Sequence, residues 1–557
     1  MAESKYPKGL FFLVFTEFWE RFGYYLMIGI FFLYMTTDAK QGGMGWENAT
    51  SSDIFGTFIA LAYLTPFMGG LLADLKLGYR FSITLGGILM GIGYCLLAIP
   101  EKWAFFTALA IMVVGNGFFK PNIATLLGNL YNDPRYRDKK DTGYNIFYMG
   151  INLGAFICNF IAAIMRNKIG WNGAFITAGV GMFLGVITFW IGMKHYKHVD
   201  VRKEPKPEDK PFLMQFVQVL LVGLGCAIIG WILPNAIWGS EEEIYTIMGS
   251  QSTDAFFMFC IPVIYFYATI YKKANADERK PLGTMFTIFI IVILFWAIFK
   301  QNGTALTTYA ESYTDRESPE QITAVTESFG FSERLVADNK EVNQLDEQFR
   351  KIKGADGKPI KCQDYPAYFK NIDAAKMPAK GESVNLVNTE IFQSVNPFFV
   401  VVFTPLIIAI FAFLRQRKRE PTTATKIAYG LLISALSVLV MIGAVYYTQN
   451  GMHKASAWWL ISSYGVITIG ELCLSPMGLS MVSKLAPARL TALMMGGWQL
   501  ATSIGNKLSG VLAKNWDKFD NKANYFWLNF ALLMFAFVIM MFLLKRLNRV
   551  FKERVQN

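Results

Sequence analysis

Charge is scarce in this sequence: 17% of its 557 residues are Asp, Glu, Lys or Arg and 53% are hydrophobic, whereas soluble globular domains carry about 25% charged residues. Histidine is scarcer still. His195, His198 and His453 fall at the ends of apolar blocks or in loops, and no Cys/His cluster has the spacing of metal ligands, so neither a metal nor another cofactor is expected. Cys95, Cys158, Cys226, Cys260 and Cys473 lie in apolar segments and Cys362 sits alone in a polar stretch, which argues against a disulfide framework. Gly86-Gly87 and Gly91-Ile92-Gly93 lack the Lys-Ser/Thr of a phosphate loop, and no nucleophile with a neighbouring base is visible. The chain reads as a non-enzyme that hydrolyses no ATP. No cleavable leader is evident either: Lys5 and Lys8 run into a full-length apolar span with no convincing small-residue cleavage site after it, so the first helix is expected to stay in the mature protein.

Long apolar runs, in contrast, are abundant, each near the 20 or so residues with which one helix crosses a bilayer. They fall near 10–36, 54–75, 80–99, 103–131, 143–166 and 171–194, then near 212–238 and 254–272, then near 284–310, 389–414, 424–448, 456–483, 488–514 and 523–545. The pattern predicts an all-α polytopic membrane protein with about 14 transmembrane helices grouped six, two and six. Residues 1–198 form the first six-helix bundle, 199–283 a linker with two accessory helices, and 284–557 the second bundle. The second bundle is interrupted at 311–388 by a polar, mixed-charge insertion, in which Phe329, Leu335, Leu345, Phe349 and Tyr368 are enough for a small helical cap.

The net charge of +12 does not point to nucleic acid, because the cations lie in the short connections between apolar blocks. Lys5 and Lys8, Lys76 and Arg80, Arg135 to Lys140, Lys194 to Lys210, Lys272 to Lys280, Arg415 to Lys426, Lys484 with Arg489, and Lys545 to Arg554 all fall on one side of the alternation. That side is expected to be cytoplasmic, with both termini in it and the insertion opposite. Lys514, Lys518 and Lys522 run against the count.

The charges inside the apolar blocks carry the function. Glu17, Glu20, Arg21, Tyr24 and Tyr25 have helical offsets that put them on one stripe, and a charge at bilayer depth normally faces a bundle interior or a wet cavity and pairs there. A purely structural ion network is the plainer alternative. Thr16-Glu17-Phe18-Trp19-Glu20-Arg21-Phe22-Gly23-Tyr24-Tyr25 and Tyr144-Asn145-Ile146-Phe147-Tyr148-Met149-Gly150-Ile151-Asn152-Leu153-Gly154 resemble two signatures of the proton-coupled oligopeptide transporter family, a branch of the major facilitator superfamily. Gly70-Leu71-Leu72-Ala73-Asp74 with Arg80, Gly115-Asn116-Gly117-Phe118-Phe119-Lys120-Pro121-Asn122, Gly470-Glu471-Leu472 and Gly496-Gly497-Trp498-Gln499 are similar to further motifs of that group.

The resemblance implies a major facilitator fold and import of di- and tripeptides by proton symport across a bacterial inner membrane, by a monomer. A peptide is a zwitterion, and the residue types fit it: Arg21 and Lys120 for the carboxylate, Glu471 for the ammonium, Asn152 and Asn396 as amides, Tyr24, Tyr25 and Tyr63 as phenols, Trp296 and Trp498 as pocket walls. By resemblance, Glu17, Glu20 and Arg21 couple substrate to proton, Lys120 pairs with Glu471 when the inner gate closes, and Asp74 and Arg80 help lock the cytoplasmic side. The two asparagines also suit interhelical hydrogen bonding, and the two tryptophans suit a lipid-facing position.

This chain departs from the family's pattern at two positions. Lys300 stands where an acid is common, and Ile28 where many bacterial members carry an arginine that pairs with that acid across the outer gate. Losing both partners together avoids a stranded buried charge. Three fates are open to Lys300: pairing with Glu17 or Glu20, binding an acidic substrate side chain, or snorkelling to the membrane boundary. Two rival functions stay open: a transporter of nitrate or another small anion, favoured by the positive charge of Lys300, and a transporter-derived receptor whose insertion binds an extracellular partner.

Overall fold

The structure, a computed structural model, describes every residue except 1–5, 74–76, 137–139, 201–208, 240–244, 356, 358, 488–489 and 556–557. Each apolar block becomes a helix, because a helix satisfies its own backbone where lipid offers no partner. The first six are α1 (Lys8–Thr36), α2 (Asn48–Leu72), α3 (Tyr79–Leu96), α4 (Lys102–Leu130), α5 (Lys140–Ile169) and α6 (Trp171–Gly192). An accessory pair follows, α7 (Asp209–Trp238) and α8 (Gln251–Lys273). The rest of the chain folds as α9 (Ala276–Phe299), α10 (Ala305–Ser312), α11 (Glu320–Phe329), α12 (Val395–Gln416), α13 (Thr423–Tyr447), α14 (Ala457–Leu485), α15 (Thr491–Lys514) and α16 (Lys522–Val555).

Among the described residues, 11 helical segments are long and apolar enough to cross a membrane. The other three long helices, α1, α2 and α15, carry more polar residues and turn them inward: Thr16, Glu17, Glu20, Ser51, Ser52, Ser503, Asn506 and Lys507 are all buried. Two apolar cores result, one built by α1–α6 and the other by α8–α10 and α13–α16. In contrast α7 and α12 leave most of their apolar side chains uncovered by protein, as lipid-facing helices do. The accessory helices pack on each other, and α8 also touches α2, α9 and α15.

The expected single span at 284–310 is broken. It ends as α9 at Phe299, passes through a short 3-10 turn over Lys300–Gly303, and resumes as α10 after Thr304, whose φ of −133° and ψ of −90° are not helical. The ring of Phe55 on α2 presses on this joint, and a Cβ at position 303 would lie 2.2 Å from it, so only glycine fits. Gln301 anchors the joint to α16: its carbonyl oxygen accepts from Tyr525 at 2.6 Å and from Asn529 at 2.9 Å.

The insertion is mainly extended rather than the helical cap expected, with α11 as its one α-helix among the described residues. β1 (Thr314–Asp315) runs parallel to β6 (Ala455–Ser456). β2 (Ser332–Val336) is antiparallel to β5 (Ser383–Val387), with Ser332 opposite Val387. β3 (Lys340–Asn343) is antiparallel to β4 (Lys361–Asp364). Ala337, Tyr368, Phe369 and Leu386 form a small core with Leu335, whereas Phe329 is exposed. Although it belongs to the second half of the chain, this cap also grips the first. Lys361 meets Asp38 at 2.6 Å, Lys40 meets Glu341 at 2.6 Å, and Lys353 pairs with Glu47. On the other half, Arg350 meets Asp520 at 2.8 Å and Asp373 meets His453 at 2.5 Å. The lysines that ran against the charge count lie on this cap side, where Lys514 donates to the Gly249 carbonyl and Lys522 to those of Trp516 and Phe519.

Candidate functional site

The polar stripe of α1 faces into the protein: Glu17, Glu20, Arg21 and Tyr24 are buried and Tyr25 is half-buried. The Arg21 guanidinium donates through Nε and Nη2 to the two oxygens of Glu20, and its Nε lies 3.4 Å from Glu17 Oε1. Tyr24 and Tyr25 meet edge to face and flank the guanidinium, with ring centroids 5.0 and 5.9 Å from its carbon. One oxygen remains outside this arrangement: Glu17 Oε2 is buried without a hydrogen-bond partner.

Lys120 and Tyr63 are held by a stitched contact between α2 and α4. Asn116 donates to the Ala62 carbonyl at 2.6 Å and Thr65 to the Val113 carbonyl at 2.9 Å, which fixes α2 against the turn before Lys120. The Lys120 ammonium then sits 4.0 Å from the centre of the Tyr63 ring. Lys300, arriving from the joint after α9, places its ammonium 5.4 Å from the same ring and 5.8 Å from that of Trp296. It pairs with neither Glu17 nor Glu20. The Trp296 N–H is buried and has no acceptor.

Glu471 and Asn396 come from the second bundle. Asn396 Nδ2 donates to Thr468 at 2.8 Å and to Glu471 Oε2 at 3.2 Å, joining α12 to α14. Lys120 and Glu471 are therefore unpaired with each other in this conformation, each occupied on its own side. Asn152 spends its amide on the Tyr148 carbonyl of its own helix, at 2.8 Å. Trp498 is buried against Phe289 and over Gly478, wedged between α15, α9 and α14. Of the two expected locking residues, Asp74 lies outside the described residues. Arg80 Nε meets Asp200 Oδ2 at 2.6 Å, and the other Asp200 oxygen accepts the Tyr79 N–H at 2.9 Å.

Two charge pairs that the sequence reading passed over join the bundles on the cap side. Lys507 of α15, fully buried, reaches Asp53 of α2 at 2.8 Å. Ser250, Ser252 and Thr253 of the accessory pair all donate to the same aspartate, at 2.8, 2.5 and 3.1 Å. One turn further along, α2 and α15 touch at Gly56 and Gly510, where a Cβ on Gly56 would lie 2.7 Å from the Gly510 Cα. Arg166 at the end of α5 meets the buried Glu390 before α12 at 2.8 Å. Lys507, a lone cation inside an apolar block, was the signal available for the first pair.

A buried set of opposite charges between two six-helix bundles, in a chain that crosses the membrane many times, defines a secondary transporter of the major facilitator type. Comparison with known proteins agrees. The sequence profile of the POT family matches residues 80–330 and 374–528. An uncharacterized transporter of Bacillus subtilis (strain 168) is 31% identical over 519 residues, spanning 92% of this chain and 89% of that one. A di-/tripeptide transporter of Lactococcus lactis subsp. lactis (strain IL1403) is 30% identical over 515 residues, spanning 90% and 88%. A crystal structure of a peptide transporter POT in complex with sulfate matches at a TM-score of 0.75 and 28% identity, covering 99% of this chain and 97% of that one. The chain belongs to the POT family.

Proposed function

We propose that this chain imports di- and tripeptides together with protons, by rocking its two bundles about the site formed by Arg21, Lys120, Tyr63 and Glu471. One observation carries the reading: the Tyr63 phenol stands within electrostatic reach of Lys120 and Arg21 from the first bundle and of Glu471 from the second, so the site holds both signs of charge that the two ends of a zwitterion need and draws them from both bundles. The orphaned Trp296 N–H supplies a donor for the peptide backbone. A di-/tripeptide transporter among the relatives supports peptides over nitrate as cargo.

Coupling follows from the α1 stripe. Glu20 is engaged as an ion by both of its oxygens, whereas Glu17 keeps one oxygen free, so Glu17 takes the travelling proton. Its protonation removes one of the two negative partners of Arg21 and loosens the guanidinium for the peptide carboxylate. Asp53–Lys507 and Arg166–Glu390 close the cap side, in place of the outer pair that Ile28 and Lys300 no longer form. The protein sits in a bacterial plasma membrane with its cap outside and both termini in the cytoplasm. Purified protein in liposomes, given an inward proton gradient and a negative-inside potential, is expected to accumulate radiolabelled dialanine and trialanine. Equal uptake with and without the gradient overturns proton coupling; no uptake of either peptide overturns the cargo.

A further inference from the structure

Five charged side chains in the central site are fully or partly committed. Arg21 is held by Glu20 and Glu17, and Glu471 is held by Asn396. Lys120 already serves a peptide's terminal carboxylate in the reading above. Lys300 is the sixth charge: among the described residues no carboxylate lies within salt-bridge distance of it, and Glu471, already held by Asn396, is within its electrostatic reach. Its ammonium rests on the faces of Tyr63, Trp296 and Phe299, at 5.4, 5.8 and 5.5 Å from their centres. It is half-buried rather than extended to the membrane boundary. Aromatic faces hold a cation without neutralising it, so this ammonium still attracts an anion.

The placement is specific. Lys120 and Lys300 stand over one phenol ring, so their ammoniums are no farther apart than the sum of 4.0 and 5.4 Å. A peptide with neutral side chains brings a single carboxylate to this pair. A C-terminal glutamate brings two, separated by three carbons, and fills both cations at once. We infer that Lys300 is a specificity-determining residue that makes this chain prefer peptides with an acidic side chain. The inference rests on the peptide-import reading and deepens it. Lys120 and Tyr63 belong to the first bundle and Lys300 to the second, so an acidic peptide also ties the bundles together at the site.

The test is inhibition of radiolabelled dialanine uptake by Ala-Glu, Ala-Gln and Ala-Lys, in liposomes holding the full chain. In the wild type Ala-Glu is expected to inhibit at a roughly tenfold lower concentration than Ala-Gln, the size of one charge-assisted hydrogen bond. Lys300→Gln brings that ratio near one, and Lys300→Arg keeps it. Ratios within one variant cancel differences in folding and expression. The same ranking in wild type and Lys300→Gln overturns the inference while leaving peptide import standing. Absence of dialanine uptake overturns peptide import instead. In that case quenching of tryptophan fluorescence by glutarate and by butyrate decides the second anion site: a glutarate preference lost in Lys300→Gln supports it, and equal quenching overturns it.

Discussion

Arg21 has two carboxylates and one guanidinium to share, and the sharing is unequal. Glu20 takes both donating nitrogens, and Glu17 is left at 3.4 Å with one oxygen unused. Glu17→Gln is therefore expected to abolish gradient-driven uptake while sparing counterflow, because the amide keeps the shape and cannot carry the proton. Glu20→Gln is expected to depress both, since it removes the main partner of a buried cation. Parallel measurement of gradient-driven uptake and counterflow checks this, and the reverse assignment of the two phenotypes refutes it. At the cap side, Lys507→Ala leaves the largely covered Asp53 with hydroxyl partners alone and is expected to cost up to about 3 kcal/mol. The combination Asp53→Asn with Lys507→Met removes both charges and should recover much of the loss in thermal unfolding of the solubilised protein. The stripe of α1 was legible because charges are conspicuous in an apolar run. The Asp53–Lys507 pair was not, because its members lie 454 positions apart and only the packing of α2 on α15 brings them together.

The helices were legible as elements for the same reason that lipid selects them: blocks of about 20 apolar residues leave no other way to satisfy the backbone. The break after α9 escaped notice because Lys300-Gln301-Asn302-Gly303 interrupts an otherwise continuous block, and the cause of the break, Phe55, is on another helix. The cap escaped too. Its strands are two to five residues long and pair with partners far along the chain, so no local alternation announces them. At the edge of the cap, burial pushes the Lys454 ammonium down to about 7, with Arg316 adding to the fall; its ammonium donates to the Ser312 carbonyl and lies over the Tyr368 ring, with Asp315 and Glu311 facing it. Between that value and the ordinary one near 10.5, the folded cap binds fewer protons than the unfolded chain. Its stability therefore rises with pH across that window and is flat below it. Amide exchange in β1 and β6, corrected for intrinsic rate, should slow from pH 7 to pH 9, and Lys454→Met should remove the trend. Exchange that quickens over the same interval contradicts the assignment.

At the scale of the whole molecule, the cap and the two buried pairs act on one side. Asp38, Lys40 and Glu47 tie the cap to the first half, and Arg350 and Asp373 tie it to the second, so it spans both halves at their cap-side ends. Exposed pairs of this kind are each worth about 0–1 kcal/mol and are screened by salt, so the cap restrains opening without forbidding it. Replacing 316–386 with a short Gly/Ser linker is expected to leave dialanine binding within about threefold of wild type, since none of the named site residues lies in the cap. The same variant should shift spin-label distances between positions 49 and 513 toward the separated population. Unchanged distances would show that Asp53–Lys507 and Arg166–Glu390 hold that side unaided.

The meeting of Gly56 with Gly510 has a mechanical consequence. Most packed helices interlock, each side chain seated in a hollow of its neighbour, and sliding one over the other means lifting every tooth out of its socket. Here two bare backbones touch, at a place with nothing to interlock. Such a contact works as a smooth bearing: the bundles can roll on it through a cycle with the distance between them held constant, and friction is left to the charges one turn away. A leucine at position 56 would put a cog on that bearing, and the cycle would stall whatever the affinity of the site.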